Sequence, residues 1–185
     1  MPGVIRMIRS PASPRSTFVL SSGSGMIRSR VELRTAWYEL LDRYSWAICL
    51  TLTFDRSNPN GRGPPGAERL DKAFRGLVRF ANERLYGRRW MSKCCHKGVT
   101  WARATELHRS GAPHFHAVIG APTRQEELTS LFCKDCEKWW RSRYGTAKIE
   151  LILHKNASLV YMVKCVGSNL DCEVDFSFNL PIVSL

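Results

Sequence analysis

His114-Phe115-His116 sets two imidazoles two residues apart in a stretch that reads as a strand. Side chains alternate across a strand, so both histidines project from one face while Phe115 enters the opposite layer. Two imidazoles side by side can grip a divalent metal ion bidentately. A carboxylate adds a harder ligand, and Glu106 stands on the preceding strand, eight residues before His114. The short connection 109–113 brings it across from the pair. Such a set leaves positions open for a phosphate oxygen and water, as a catalytic metal requires. The plain alternative is two half-exposed strand histidines bonded to backbone. His108 shares the face of Glu106 and is either a third imidazole or a neighbour at the strand end.

Tyr161 and Lys164 stand at i and i+3 of a helical stretch, and therefore on one face. Leu159, Met162, Val163 and Val166 make the other, apolar face. A phenol with a pKa near 10 is a poor nucleophile until a cation stabilises its anion. A metal and Lys164 can both do so, or Lys164 can clamp a phosphate. A surface tyrosine beside a solvated lysine is the alternative.

The elements that must carry these groups follow from periodicity. Residues 31–44 form a short amphipathic helix. In 46–54, Trp46, Ile48, Leu50, Leu52 and Phe54 alternate with small or polar residues, a strand buried on at least one face. Residues 57–66 are a Gly- and Pro-rich loop. Leu70, Phe74, Leu77, Ala81 and Leu85 mark the clearest helix. Residues 88–93 are a basic turn. Strands at 99–108 and 114–119 make an antiparallel hairpin. Thr123-Arg-Gln-Glu126 is a capping box that opens a helix through Trp139. A strand at 148–153 and a helix at 156–166 follow. The hairpin in this order predicts an α+β domain, a central antiparallel sheet with helices packed on it.

The 185 residues carry a net charge of +12. Residues 1–30 hold +5, residues 31–167 hold +10 and residues 168–185 hold −3. That divides the chain into a flexible basic arm (1–30), a domain (31–168) and an acidic C-terminal extension (169–185). The Arg-, Ser- and Pro-rich arm buries little; it suits backbone contact with DNA, although its composition also mimics a transit peptide, and Met26 offers an internal start. A basic body suits a polyanion, since neutralising phosphates releases counterions; a basic protein without such a partner is the alternative. Arg88, Arg89, Arg141 and Arg143 are candidate phosphate contacts. Trp139, Trp140 and Tyr144 are candidate stacking surfaces for unpaired bases, unless they pack on the core. No phosphate-loop motif occurs, so unwinding falls to a partner. No apolar run reaches membrane-spanning length.

Seven cysteines without a secretory signal imply reduced thiols in a cytoplasmic setting. Cys133 and Cys136, with Cys94, Cys95 and His96, are a zinc alternative to free thiols. Because Cys133 and Cys136 fall within a helical pattern and Cys94-Cys95 is not C-x-x-C, free thiols are expected.

His-hydrophobic-His on a strand, with Tyr161-Met162-Val163-Lys164 about 45 residues later on a helix, resembles the HUH endonucleases. It is most similar to rolling-circle replication initiators of plasmids and small single-stranded DNA phages. Leu50-Thr51-Leu52-Thr53-Phe54 resembles their first motif. Glu106 with the run Gly111 to Ile119 resembles the metal motif, and the tyrosine segment resembles the nucleophile motif. The likeness covers 46–166. It implies an HUH- or RRM-like palm with Mg²⁺ or Mn²⁺ held by His114, His116 and Glu106. Tyr161 and Lys164 are then catalytic, and Thr51 and Thr53 lie among the DNA contacts. Strand transfer would pass through a 5′-phosphotyrosine and free a 3′-hydroxyl.

The implied partners are single-stranded DNA, at an origin or hairpin, and a separate or host helicase, in the cytoplasm of a bacterial host. Cys165 in place of a second tyrosine implies a single-nucleophile enzyme. No histidine follows His116 before His154, which argues against a conjugative relaxase. A transposase of the same chemistry and a non-catalytic RRM-like nucleic-acid binder are the competing expectations.

Overall fold

The structure, a computed structural model, describes residues 30–55, 66–94, 98–107, 112–164, 173–177 and 179. Residues 1–29 of the arm, His108, Gly111, Cys95, His96, Cys165 and Val166 lie outside them.

Among the described residues the elements follow in this order: α1 (Arg30–Asp42), β1 (Ile48–Thr53), α2 (Ala67–Tyr86), α3 (Trp90–Cys94), β2 (Thr100–Leu107), β3 (Pro113–Gly120), a 3-10 turn (Gln125–Glu127), α4 (Ser130–Arg141), β4 (Ala147–Leu151), α5 (Lys155–Val163) and β5 (Glu173–Phe176). The strands pair antiparallel throughout in the order β4-β1-β3-β2-β5. The fold is α+β, an open five-stranded sheet with helices against it.

Alternation in the strands divides the sheet into two faces. On one, Ile48, Leu50 and Leu52 of β1, with Phe54 just after it, join Phe115, Ala117 and Ile119 of β3 under α2 and α4. Phe115 is fully buried, edge to face with Phe54 and Phe74 at 5.6 Å between ring centroids. Aromatic pairs prefer this geometry, and truncating such a ring costs about 3–5 kcal/mol. The other face carries Ala102, Ala104 and Val118, covered by Trp37 and Leu41 of α1 and by Leu159, Met162 and Val163 of α5. The histidines must share this second face, because Phe115 occupies the first.

The capping box at Thr123 does not open α4. Thr129 is the N-cap, its hydroxyl accepting from the Phe132 N–H at 3.3 Å. Gln125 is engaged elsewhere, its side-chain oxygen accepting from Ala121 N at 3.0 Å. Leu128 and Cys133 bracket the true cap at staple positions and enter the same core. The basic turn after α2 contains the short helix α3.

Within the acidic segment 169–185, Glu173–Phe176 forms β5 on the edge of β2. Its anchor is Arg103, buried between the rings of Phe74 (4.8 Å) and Phe115 (4.9 Å). Arg103 pairs with Asp175 of β5 and, at 3.4 Å, with Asp71 of α2. Gly145, at φ +150°, lets the backbone press against Thr53 and Asp55 so that β4 can start beside β1. Among the described residues no helix is long and apolar enough to cross a membrane.

Candidate active site

The antiparallel register sets Glu106 directly opposite His114 across β2 and β3, and Thr53 and Thr51 opposite His114 and His116 across β1. All five therefore project from the face that α5 partly covers. Glu106 Oε2 lies 3.2 Å from His114 Nε2 and 3.4 Å from His116 Nε2, and the two Nε2 atoms are 3.0 Å apart. Three donor atoms converge on one point, so Glu106, His114 and His116 could hold a metal ion. The hydroxyl of Thr51 stands 3.4 Å from His116 Nδ1, on the side of the ring away from that point. A partner there fixes the ring and leaves Nε2 for a ligand.

Protonation fits this donor set. Burial first, and the neighbouring His114 second, push the His116 pKa down to about 4, against the opposing pull of Glu106. At neutral pH the imidazole is neutral and its lone pair is available, the form a metal requires.

Helix α5 brings the phenol to this cluster. Leu159, Met162 and Val163 are buried, while Tyr161 is half exposed, at 50%. Its ring meets His116 edge to face, 4.6 Å between centroids at 75°. Lys164 Nζ lies 5.7 Å from the centre of the Tyr161 ring. The half-exposed Tyr161 ring thus has both a lysine and one of the three potential metal ligands as neighbours.

The arginines are elsewhere. Arg141 closes the end of α4, donating to the Ala147 carbonyl at 2.6 and 3.2 Å. Arg143 stacks on Trp139 at 4.6 Å. Helix α4 packs on the sheet face opposite the histidines, so both arginines belong to that layer. Arg88 and Arg89 are exposed in the turn after α2, in the same layer. Trp140 is fully buried and Tyr144 packs on it at 4.8 Å; Trp140 is thus a core residue with no face to offer a base. Cys133 and Cys136 are free, buried thiols on α4. Burial raises both pKa values, that of Cys133 to about 11.

Lys148 and Glu150 of β4 went unmarked in the sequence. They share the site face and line a cavity that opens beside Tyr161. The signal was present only as strand alternation; their place beside the site depends on β4 pairing with β1.

No curated protein and no solved structure matches the chain significantly. A family model, that of replication-associated protein ORF2/G2P, matches residues 47–168, which run from the start of β1 to just beyond α5 and include every residue of the cluster. The chain belongs to the replication-associated protein ORF2/G2P family.

Proposed function

We propose that the protein nicks and rejoins single-stranded DNA through a phosphotyrosine on Tyr161, and so initiates rolling-circle replication. The observation that carries this reading is the contact of Tyr161 with His116, itself one of three convergent metal-type ligands. Family membership supplies the replication context.

In the proposed reaction the Tyr161 oxygen attacks the scissile phosphorus in line. The bond from phosphorus to the 3′-oxygen breaks, and the 5′-phosphate becomes an ester of the phenol. The proton lost by the phenol is matched by one gained at the departing 3′-oxygen. One phosphodiester replaces another, so a 3′-hydroxyl can reverse the step. Glu106, His114 and His116 are the proposed ligands of Mg²⁺ or Mn²⁺, which when bound supplies Lewis-acid polarisation of the phosphate. Two imidazoles in the set favour Mn²⁺ over Mg²⁺. Lys164 stabilises the phenolate or holds a phosphate oxygen, and Thr51 orients His116. Thr53, opposite His114 in the register, is a proposed contact to the DNA.

The test is cleavage of labelled single-stranded oligonucleotides with Mn²⁺ and with EDTA. Cleavage that needs the ion and is lost in His114→Ala and His116→Ala is expected. Binding alone, unaffected by chelator or by those changes, would instead identify a non-catalytic binding domain.

A further inference from the structure

A cavity of about 460 Å³ opens beside Tyr161, between α5 and the β1–β4 edge of the sheet. Tyr161, His116, Lys148 and Glu150 all line it. Its size falls in the range of small-ligand pockets. The register runs Ala104, His116, Thr51, Lys148 in one row across four strands. Lys148 is thus two strand spacings from His116, about 10 Å. A DNA strand whose phosphate sits at the histidines would place a neighbouring base in this cavity.

Lys148 and Glu150 sit at i and i+2, so both face the cavity, with Nζ and the carboxylate 2.8 Å apart and both side chains largely exposed. An exposed pair of this kind contributes little stability. Charges also guard an edge strand against unwanted pairing, but that role needs no particular partner and no cavity. Here a donor and an acceptor are presented side by side at the rim of a pocket with Met162 and Ala157 in its wall. Guanine alone among the four bases offers two adjacent N–H donors beside a carbonyl acceptor on one edge. A carboxylate takes both donors, and an ammonium reaches the carbonyl.

We propose that this cavity is a base-reading subsite that takes one guanine next to the scissile phosphate, with Glu150 accepting from its N1–H and N2–H groups and Lys148 donating to O6. The proposal rests on the reading of Tyr161 as the nucleophile.

The experiment uses the full chain with oligonucleotides randomised on both sides of the cut, and sequences the DNA recovered as covalent adduct. Wild type should enrich guanine about tenfold at one flanking position, the discrimination of one good bidentate contact. Glu150→Gln and Lys148→Ala should lose that enrichment while preferences at other positions persist. A second arm measures competition by short oligonucleotides with and without guanine, for wild type and for Ser158→Trp, which fills the cavity. Guanine should compete about tenfold better with wild type and lose its advantage in the filled variant. No positional preference in either arm, or a preference for another base, overturns the proposal. So does a uniform loss of affinity in Lys148→Ala with a shallower salt slope, which marks a phosphate contact. If no adduct forms with any DNA, the nucleophile reading fails, and the competition arm alone then decides the subsite.

Discussion

The Tyr161 ring stands edge-on to the His116 imidazole, 4.6 Å between centroids, although 45 residues of chain separate them. Two independent patterns create this contact. Strand alternation turns His116 away from the core of Phe115, and the apolar stripe of α5 turns Tyr161 outward beside it.

Metal binding should stabilise the fold. An ion at a hundred times its Kd adds about 2.7 kcal/mol, enough to raise Tm by several degrees. Thermal denaturation with and without Mn²⁺ should show this rise in wild type and no rise in Glu106→Gln or His114→Ala. Thr51→Val removes the group beside His116 Nδ1 and should weaken Mn²⁺ by about tenfold. Identical shifts in all four proteins would place the ion elsewhere.

Acid should destabilise the metal-free protein through His116. The unfolded imidazole takes up a proton near 6.5, while the folded one resists until about 4. Above 6.5 both states are neutral and the full stability is present. Between 6.5 and 4 the unfolded state binds more protons, so stability is lost as pH falls. Melting in EDTA across that window should show a steeper decline for wild type than for His116→Gln. Parallel declines would contradict the assignment.

The buried Arg103 should make β5 integral to the domain. Removing one partner of a buried ion pair costs about 3–5 kcal/mol, because the other charge stays desolvated. Asp175→Ala should approach the lower figure, since Asp71 still faces Arg103 at 3.4 Å. Chemical denaturation measures it. A change under about 0.5 kcal/mol, the range of an ordinary surface substitution, would mean that β5 is dispensable.

Electrostatic binding should show in salt dependence. With about seven phosphate contacts, affinity for single strands falls about a thousandfold between roughly 50 and 200 mM salt. Removing residues 1–29, which carry four arginines, should flatten the slope if the arm touches DNA. An unchanged slope assigns the contacts to the domain alone.

Much of the candidate site was legible because its geometry depends on short periods. His114, His116 and Phe115 follow from alternation, and Leu159, Met162 and Val163 from the helical stripe. Glu106 followed from a short hairpin connection. What sequence did not reveal depends on distant partners. Thr123 and Thr129 both suit a cap, and the choice fell to Thr129 because Leu128 and Cys133 enter the core around it. The run Glu173-Val-Asp-Phe reads as an acidic tail until Arg103, about 70 residues earlier, is known to be buried against Asp175. Trp140 offered aromatic area for stacking, but Phe54 and Phe115 claim its ring. Lys148 and Glu150 gain meaning only once β4 pairs with β1.

The most direct measurement is the identity of the residue that carries DNA. The full chain is incubated with labelled single-stranded oligonucleotide and Mn²⁺, denatured, digested and mapped by mass spectrometry. A nucleotide joined through its 5′-phosphate to Tyr161 is expected, and no adduct from Tyr161→Phe, which should still bind DNA and Mn²⁺ and melt normally. An adduct on Tyr144 or any other residue, or an undiminished adduct from Tyr161→Phe, would contradict it.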